Sequence, residues 1–346
     1  MARTTLCLDV GSGTQDVLLH FSDREIENCP KFVLPSPALQ IGRRIEKLRA
    51  SGQHVWLHGR NMGGGVTRFV RAHLQAGLGV AAMPDAAYTM ADDLSRVEEM
   101  GIVLTESCPD GFTPVRLTDF DEAWWRRFFE AAELDWPEQV AACAQDHGFH
   151  PGASNRRGRF DLWRSFLNEG EGRPENLVYK TPPAMLTRLA DLHADIGGGP
   201  VADTGAAAVL GALYQNDIEA RSRREGITLV NIGNSHLIAF LLFDGRIHGV
   251  YEQHTGCIDA DKLWRDLSDF RCGCLPFEQV FEERGHGCLT LELPERAGGF
   301  APTYALGPRR AMLEGRDVEF PAPGGDMMLA GCFGLLKGMQ LRKDRL

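Results

Sequence analysis

Residues 8–14 read LDVGSGT and are followed by the apolar run DVLLH at residues 16–20. Residues 230–236 read VNIGNSH and continue into the apolar run LIAFLLF at residues 237–243. Each segment has the pattern of a strand, a polar residue, a glycine-containing turn and a second apolar strand. One such turn is typical of any β-hairpin, but two copies, one in each half of the chain, are more specific. We therefore interpret them as a matched pair.

The first turn carries the groups that a phosphate-binding loop needs. Gly11 and Gly13 allow backbone N–H groups to approach an anion without an intervening side chain. Ser12 and Thr14 add hydroxyl donors, and Asp9 at the end of the first strand can hold a magnesium ion through water. Two such turns that face each other would bind the phosphates of a nucleotide from both sides.

Strand and helix signals alternate along the chain, as is typical of an α/β fold. Predicted strands lie at residues 5–10, 16–20, 54–58, 139–145, 200–203, 228–232, 236–243, 246–252 and 303–306. Predicted helices lie at residues 38–50, 66–75, 119–134, 205–219 and 326–339, and residues 146–159 are predicted to form a polar loop. With 346 residues, the chain is long enough for two lobes around a cleft.

The composition limits the classes of partner. A formal net charge of −10 argues against broad nucleic-acid binding, because such binding requires a basic surface. The N-terminal residues show no signal-peptide pattern, and even the most apolar segment, residues 229–243, is interrupted by polar residues. We therefore expect a soluble, cytoplasmic protein that binds neither nucleic acid nor membrane. The sequence does not predict its oligomeric state.

Nine cysteines are scattered along the chain, an odd number that favours reduced thiols. The one local group comprises Cys272, Cys274, His286 and Cys288, whose spacing matches no common zinc-binding pattern. No Cys-x3-Cys-x2-Cys triplet occurs, which disfavours a radical-SAM iron–sulfur site. The sequence therefore predicts that the cysteines are not catalytic and that no stoichiometric iron or zinc is bound.

The order of the motifs resembles that of the superfamily of actin, sugar kinases and heat-shock chaperone ATPases. Residues 9–15 resemble its first phosphate loop, residues 231–236 its second, and residues 307–310 its adenosine loop. The segments 203–211 and 324–334, rich in small residues, resemble its two connecting helices, which cross closely at the hinge.

This resemblance implies a two-lobed, actin-like (ribonuclease H-like) α/β fold with ATP and Mg²⁺ in the cleft. Lobe I, with the first phosphate loop and the substrate loops, would span residues 1–200. Lobe II, with the second phosphate loop, the adenosine loop and a final helix at the hinge, would span residues 201–346. Asp9 would belong to the magnesium shell, and nucleotide contacts are expected from Asp9, Gly11, Ser12, Gly13, Thr14, Gln15, Gly233, Asn234, Ser235, Gly256, Gly307 and Arg309.

The whole chain also resembles a prokaryotic family described as a domain of unknown function, some of whose members are labelled pyruvate formate-lyase-activating enzyme. The segments MGGGVT at residues 62–67, QDHGF at 145–149 and GHG at 285–287 carry this resemblance. Because the cysteine triplet is absent, the sequence gives that label no chemical support if it denotes a radical-SAM activase.

Two features depart from the superfamily pattern. Asn231 stands where the superfamily usually has Asp, and an amide offers no charge to metal-bound water. Asn234 and Ser235 stand where further glycines are usual. Both departures weaken the prediction of phosphate hydrolysis more than that of nucleotide binding.

Two carboxylates are candidates for catalysis. Asp203 ends a predicted strand and precedes a helix, where the resembling families place an acid that acts on the attacking water or the metal shell. Capping that helix is the alternative role for Asp203. Asp146 also follows a strand, where it would orient or deprotonate an acceptor hydroxyl, or form a turn.

Three further residues are candidates for substrate binding. His147 follows Asp146 in the predicted loop, and Arg156 and Arg157 lie in the basic run of residues 155–159. Arginine forks fit carboxylate or phosphate groups, although a solvated surface run is the simpler interpretation. If this run binds the substrate, the substrate is anionic.

Three functions are compatible with these features. The first is an ATP-dependent phosphotransferase, or kinase, acting on a small and anionic metabolite. The second is an ATPase whose lobe closure activates or remodels a partner enzyme. The third is a nucleotide-binding module without catalysis, which Asn231 favours.

Overall fold

The computed structural model describes residues 3–343. Within this range the strands are β1 (Thr4–Val10), β2 (Thr14–Phe21), β3 (Lys31–Pro35), β4 (His54–Gly59), β5 (Val80–Ala82), β6 (Ile102–Leu104), β7 (Phe112–Leu117), β8 (Gln139–Ala144), β9 (Val178–Tyr179), β10 (Val201–Asp203), β11 (Ile227–Ile232), β12 (His236–Phe243), β13 (Arg246–His254), β14 (Gly287–Thr290) and β15 (Thr303–Leu306). The α-helices are α1 (Pro37–Ala50), α2 (Thr67–Gln75), α3 (Pro84–Ala87), α4 (Leu94–Glu99), α5 (Glu122–Ala131), α6 (Asn155–Glu169), α7 (Thr187–Asp195), α8 (Thr204–Ala212), α9 (Asn216–Arg224), α10 (Ala260–Arg271), α11 (Phe277–Glu282) and α12 (Ala330–Lys343).

The first sheet has the strand order β3-β2-β1-β8-β10-β9. Strands β1, β2 and β3 are antiparallel neighbours, whereas β8 runs parallel to β1 and β10 runs parallel to β8. Leu6 and Leu8 of β1 pack against α5 and α7 on one face, and Cys7 packs against α8 and α12 on the other. Both faces of β1 are buried, because successive side chains point to opposite faces of the sheet and apolar residues occupy both.

The second sheet repeats this arrangement, with the order β14-β13-β12-β11-β15. Strands β11, β12 and β13 form an antiparallel meander, and β15 runs parallel to β11 as β8 does to β1. The glycine turns noted in the sequence are the β1–β2 and β11–β12 connections. The predicted fold class, an actin-like α/β fold with a duplicated strand-turn-strand loop, is confirmed by this repeated topology.

A third, smaller sheet consists of four parallel strands in the order β6-β5-β4-β7. It lies within the first half of the chain and is covered by α1 and α2, whose Ile41, Ile45 and Val70 pack against Val55 and Leu57 of β4. The glycine run at residues 63–65 follows β4 and leads through a 3-10 turn into α2.

Helices α8 and α12 cross with their backbones in direct contact. A Cβ on Gly211 would lie 2.1 Å from the carbonyl oxygen of Ala330, and one on Gly334 would lie 1.9 Å from that of Ala207. Only glycine permits so close an approach, which explains the small residues of both segments.

Three predicted elements differ from the structure. The helix expected at residues 205–219 is broken into α8 and α9, because a fully buried apolar segment gives way to an amphipathic one at Gln215. The final helix begins at Ala330 rather than at residue 326, after the left-handed turn of Gly324 and Gly325.

The third difference bears on function. Residues 155–159 are not part of a polar loop but form the start of α6. Phe160, Trp163 and Leu167 recur at helical spacing and are buried, which fixes one face of this helix inside the protein. The basic run is therefore held on a rigid element.

Strand β10 lies just beyond the predicted lobe boundary at residue 200 but belongs to the first sheet. The division into lobes at that residue stays a prediction. Across residues 3–343, none of the helices has both the length and the apolar composition that crossing a membrane requires.

Candidate functional site

A cleft of about 420 Å³ lies between the first and second sheets, within the range typical of small-molecule sites. Its walls come from both glycine hairpins, from the segment after β4 and from the loop after β8. The lining also includes Thr204 and Gly205 at the start of α8, Met327 and Met328 before α12, and Ala330 and Gly331 in α12. The cleft therefore lies where the two hairpins and the helices α8 and α12 meet.

The two hairpins are closed in the same way. Gly11 N–H donates to the carbonyl oxygen of Thr14 at 3.0 Å, and Gly233 N–H donates to that of His236 at 2.9 Å. The tips of the hairpins meet, because the hydroxyl oxygens of Ser12 and Ser235 lie 2.7 Å apart. The structure therefore brings together two segments that are more than 200 residues apart in sequence.

Two carboxylates stand side by side below the first hairpin. Asp9 on β1 and Asp16 on β2 are directly paired in the strand register, and both line the cleft. Burial raises the pKa of Asp9 to about 6, and burial together with the charge of Asp9 raises that of Asp16 to about 8. Asp16 Oδ1 has no hydrogen-bond partner among the described residues. Asp16 is therefore short of donors, whereas Asp9 accepts a hydrogen bond from the Thr204 hydroxyl at 3.4 Å.

This shortage predicts a pH-dependent stability that Asp16→Asn should remove. Below about pH 4 both folded and unfolded chains hold the Asp16 proton. As pH rises from about 4 to about 8, the unfolded chain ionises while the folded one keeps the proton, so stability falls. In thermal unfolding without ligands, the midpoint temperature of the variant should exceed that of the wild type by several degrees at pH 8 and by less at pH 5. An equal difference at both pH values would contradict the assignment.

A buried arginine links the two main sheets. Arg159 of α6 donates from Nε to Glu252 of β13 at 2.7 Å, and from Nη1 to Asp203 at the end of β10 at 2.9 Å. The same Nη1 reaches the carbonyl oxygen of Asp146 at 2.6 Å. Asp203 also accepts from Gly205 N–H at 2.8 Å and so caps α8. The capping role considered for Asp203 is present; its catalytic role stays a prediction.

A second buried ion pair supports the loop after β8. Arg188 of α7 donates to Asp119 at 2.7 Å and to the carbonyl oxygen of Gln145 at 2.8 Å. Asp146 accepts backbone N–H groups from Gly148 at 2.8 Å and from Leu189 at 2.9 Å, while burial raises its pKa. Both oxygens of Asp146 are engaged, so this carboxylate also organises the loop.

Four histidines form a cluster beside the cleft. The ring centroids of His236 and His254 lie 4.5 Å apart, and that of His286 lies 5.1 Å from His147, 5.1 Å from His236 and 4.9 Å from His254. Burial lowers the pKa of His147 well below its usual range, lowers that of His236 to about 4, and also lowers those of His254 and His286. The rings are therefore uncharged at neutral pH.

Most of the predicted nucleotide-binding residues meet at the cleft. The predicted site residues that line it are Asp9, Gly11, Ser12, Thr14, Asp146, His147, Gly233, Asn234, Ser235 and Gly307. Those outside its lining are Gly13, Gln15, Asp203, Gly256, Arg309, Arg156 and Arg157. Gln15 is 1% exposed because side chains alternate along β2, so that Thr14 and Asp16 face the cleft and Gln15 does not.

Arg156 and Arg157 lie outside the lining of the cleft, and their role in substrate binding stays a prediction. Arg156 donates to the carbonyl oxygens of Phe281 and Gly285 and stacks on the Phe281 ring. Arg157 forms an exposed ion pair with Glu278 of α11. Both side chains thus hold α6 against α11 and the loop that follows it.

Sequence reasoning missed several residues of the site. Asp16, Arg159 and Glu252 were not selected, and His286 was grouped with cysteines that lie elsewhere: Cys272 and Cys274 are exposed, whereas His286 is 1% exposed beside His147. The alternation of β2 would have identified Asp16 as a partner of Asp9. No local signal identifies Arg159 or His286, whose partners are distant in sequence.

Comparison with known families gives one match. A family model described as "Putative pyruvate format-lyase activating enzyme (DUF1786)" matches residues 62–312, which is more than half of the chain. The family resemblance seen in the sequence is thereby confirmed. No curated protein matches the chain.

Solved structures show distant similarity. The ethanolamine utilization protein EutJ from Carboxydothermus hydrogenoformans is 11% identical, over 96% of this chain and 88% of that protein, with a TM-score of 0.29. The (R)-2-hydroxyglutaryl-CoA dehydratase component A of Acidaminococcus fermentans is 10% identical, over 98% and 99%, with a TM-score of 0.32. MreB5 of Spiroplasma citri bound to AMPPNP is 9% identical, over 99% and 96%, with a TM-score of 0.34. Because these TM-scores are low, the identification of the fold rests on the strand order and the paired hairpins of this chain alone.

Proposed function

The chain belongs to the DUF1786 family, and we propose that it binds ATP with magnesium between its two glycine hairpins and transfers the terminal phosphoryl group. The observation that carries this proposal is the meeting of two equivalent hairpins, Gly11–Thr14 and Gly233–His236, over a cleft lined by two adjacent carboxylates. Phosphates between the hairpins would receive backbone N–H donors from both sides.

The residues at the cleft fit a magnesium ion. Asp9 and Asp16 supply the oxygen ligands that Mg²⁺ prefers. Oδ1 of Asp16 has no hydrogen-bond partner among the described residues and is therefore available to coordinate the ion. When bound, the ion would neutralise phosphate charge. Asp9 and Asp16 would hold it directly or through water, and Ser12 and Thr14 would donate to phosphate oxygens. Asn231 on the second hairpin carries no charge. This is compatible with the proposal, because both carboxylates that would hold the ion, Asp9 and Asp16, lie on the first hairpin.

The acceptor is proposed to lie near Asp146, His147 and Asp203. An anionic metabolite loses support, because Arg156 and Arg157 are engaged outside the cleft lining. The two cations closest to this region, Arg159 and Arg188, are already paired with carboxylates. A neutral hydroxyl compound or water is therefore the better candidate.

The family description favours a second function, in which ATP turnover activates a partner enzyme. A radical-SAM activase would need a cysteine triplet that the sequence lacks. An ATP-driven activation by lobe closure needs no such triplet, and the close glycine crossing of α8 and α12 would serve as its hinge.

Calorimetric titration with Mg·ATP tests the proposal. In Gly11→Val and Gly233→Val, the new Cβ would lie 3.0 Å from the carbonyl oxygen of Thr14 and 2.8 Å from that of His236, respectively. Each change disturbs a hairpin that would present backbone N–H groups to phosphate, so affinity should fall at least about tenfold in both. Thermal unfolding of the ligand-free variants controls for correct folding. Unchanged affinity in both folded variants would remove nucleotide binding from the account.

Product analysis then separates the functions. Transfer of phosphate only when a metabolite is added supports the phosphotransferase, and a basal ATPase rate that needs no metabolite supports partner activation. Tight binding of ATP with neither activity would support the nucleotide-binding module without catalysis.

A further inference from the structure

The histidine cluster has no role in the nucleotide site described above. His147, His236 and His286 come from three separate segments: the loop after β8, the start of β12 and the residue before β14. One ring nitrogen of each lies within 4.8 Å of the others. His147 and His236 line the cleft, whereas His286 is 1% exposed behind them.

Two of the three rings have nitrogen atoms within hydrogen-bonding distance of each other. The Nε2 atoms of His147 and His286 are 3.0 Å apart. Two nitrogens bound to one tetrahedral zinc ion at about 2.0–2.1 Å would lie about 3.3 Å apart. His286 Nδ1 has no hydrogen-bond partner among the described residues, so a hydrogen bond between the two rings leaves this buried residue half satisfied.

Hydrogen bonds fix the backbone at each of the three histidines. His286 N–H donates to the carbonyl oxygen of Glu252 at 3.0 Å, and the carbonyl oxygen of His236 closes its own hairpin. The His150 ring nitrogen Nε2 lies 2.8 Å from the carbonyl oxygen of His147. These bonds hold the three segments in place, which keeps one ring nitrogen of each histidine within 4.8 Å of the others.

We propose that His147, His236 and His286 bind a divalent transition-metal ion beside the cleft. Imidazole nitrogens select ions of the zinc class over Mg²⁺, whose oxygen ligands Asp9 and Asp16 form a separate site. Three protein ligands leave a coordination position open, as in catalytic rather than structural zinc sites. Because two of the ligands line the cleft, that position is available to water or to a substrate oxygen.

Charges of both signs lie near the three rings. Arg156 donates to the carbonyl oxygen of Gly285 beside His286, whereas Arg159 is paired with two carboxylates, Glu252 and Asp203. His254 lies against His236 and His286 without belonging to the group of three. This site differs from the sequence-based expectation that no zinc or iron is bound, which rested on the spacing of Cys272, Cys274, His286 and Cys288.

Cobalt(II) titration of the full-length chain, without a polyhistidine tag and after chelator treatment, tests this site. We expect one equivalent to bind with the visible absorption of four-coordinate cobalt, and excess Mg²⁺ should not displace it. No nucleotide is added, so the result is independent of the proposed ATP site.

Variants decide which residues hold the ion. His286→Gln and His236→Gln should each weaken cobalt binding at least about a hundredfold, since even outer-shell changes cost up to that much. His248→Gln, whose ring contacts Phe243 and Phe300 away from the cluster, is the matched control and should bind as the wild type. His236 is half-buried, so its variant keeps the test valid if the His286 variant fails to fold. Absence of cobalt binding, or equal binding by wild type and folded His236→Gln, would overturn the proposal.

Discussion

Replacement of Arg159 by leucine should lower the free energy of unfolding by about 3–5 kcal/mol. Arg159 has 4% of its side chain exposed and pairs with Glu252 and Asp203, whose side chains are 1% and 11% exposed. Leucine would leave both carboxylates buried without a cation, and removal of one partner from a buried pair is strongly destabilising. Because Asp203 belongs to the first sheet and Glu252 to the second, the contact between the two sheets would weaken as well. Urea unfolding followed by tryptophan fluorescence measures the loss.

The matched control lies two residues away on the same helix. Arg157 pairs with Glu278 at the surface, where the side chains are 48% and 60% exposed. Arg157→Leu should change stability by less than about 1 kcal/mol, as is usual for exposed ion pairs. Equal losses in the two variants would show that the buried network does not hold the sheets together.

Asp9→Asn should reduce magnesium-dependent ATP turnover by about a hundredfold or more, the scale of a lost electrostatic contact in a catalytic site. Asp9 lies at the end of β1, where a Cβ on Gly331 would come within 2.1 Å of its Oδ2. The carboxylate is therefore fixed between the hairpin and α12, and asparagine fills the same space without the charge. The magnesium concentration needed for half-maximal turnover should rise in parallel. Steady-state phosphate release over a magnesium series measures both effects.

Asp93→Asn serves as the control for this substitution. Asp93 caps α4 on the surface, and asparagine caps helices as well as aspartate does. This variant should retain full turnover. If Asp9→Asn also retains it with an unchanged magnesium requirement, Asp9 is not part of a magnesium site.

Local patterns predicted the parts of the fold that depend on neighbours in sequence. The strands of both hairpins were identified because period-two apolar runs flank glycine turns, and β15 has the bounds predicted for it. The small residues of α8 and α12 indicated a close helix crossing, which the contacts of Gly211 and Gly334 now explain.

The parts that were missed depend on long-range contacts. Arg159 resembles its neighbours Arg156 and Arg157 in sequence, and it is buried only because Asp203 and Glu252, 44 and 93 residues away, neutralise it. His286 stands close to three cysteines in sequence, yet it faces His147, 139 residues away. No spacing rule applied to a local segment recovers such partners.

A crystal structure with Mg²⁺ and a nonhydrolysable ATP analogue tests the central claim most directly. The account predicts phosphates between residues 11–14 and 233–235, with magnesium beside Asp9 and the hydroxyl oxygens of Ser12 and Ser235 moved apart from their 2.7 Å contact. Phosphates bound elsewhere, with the Ser12–Ser235 contact intact, would contradict it.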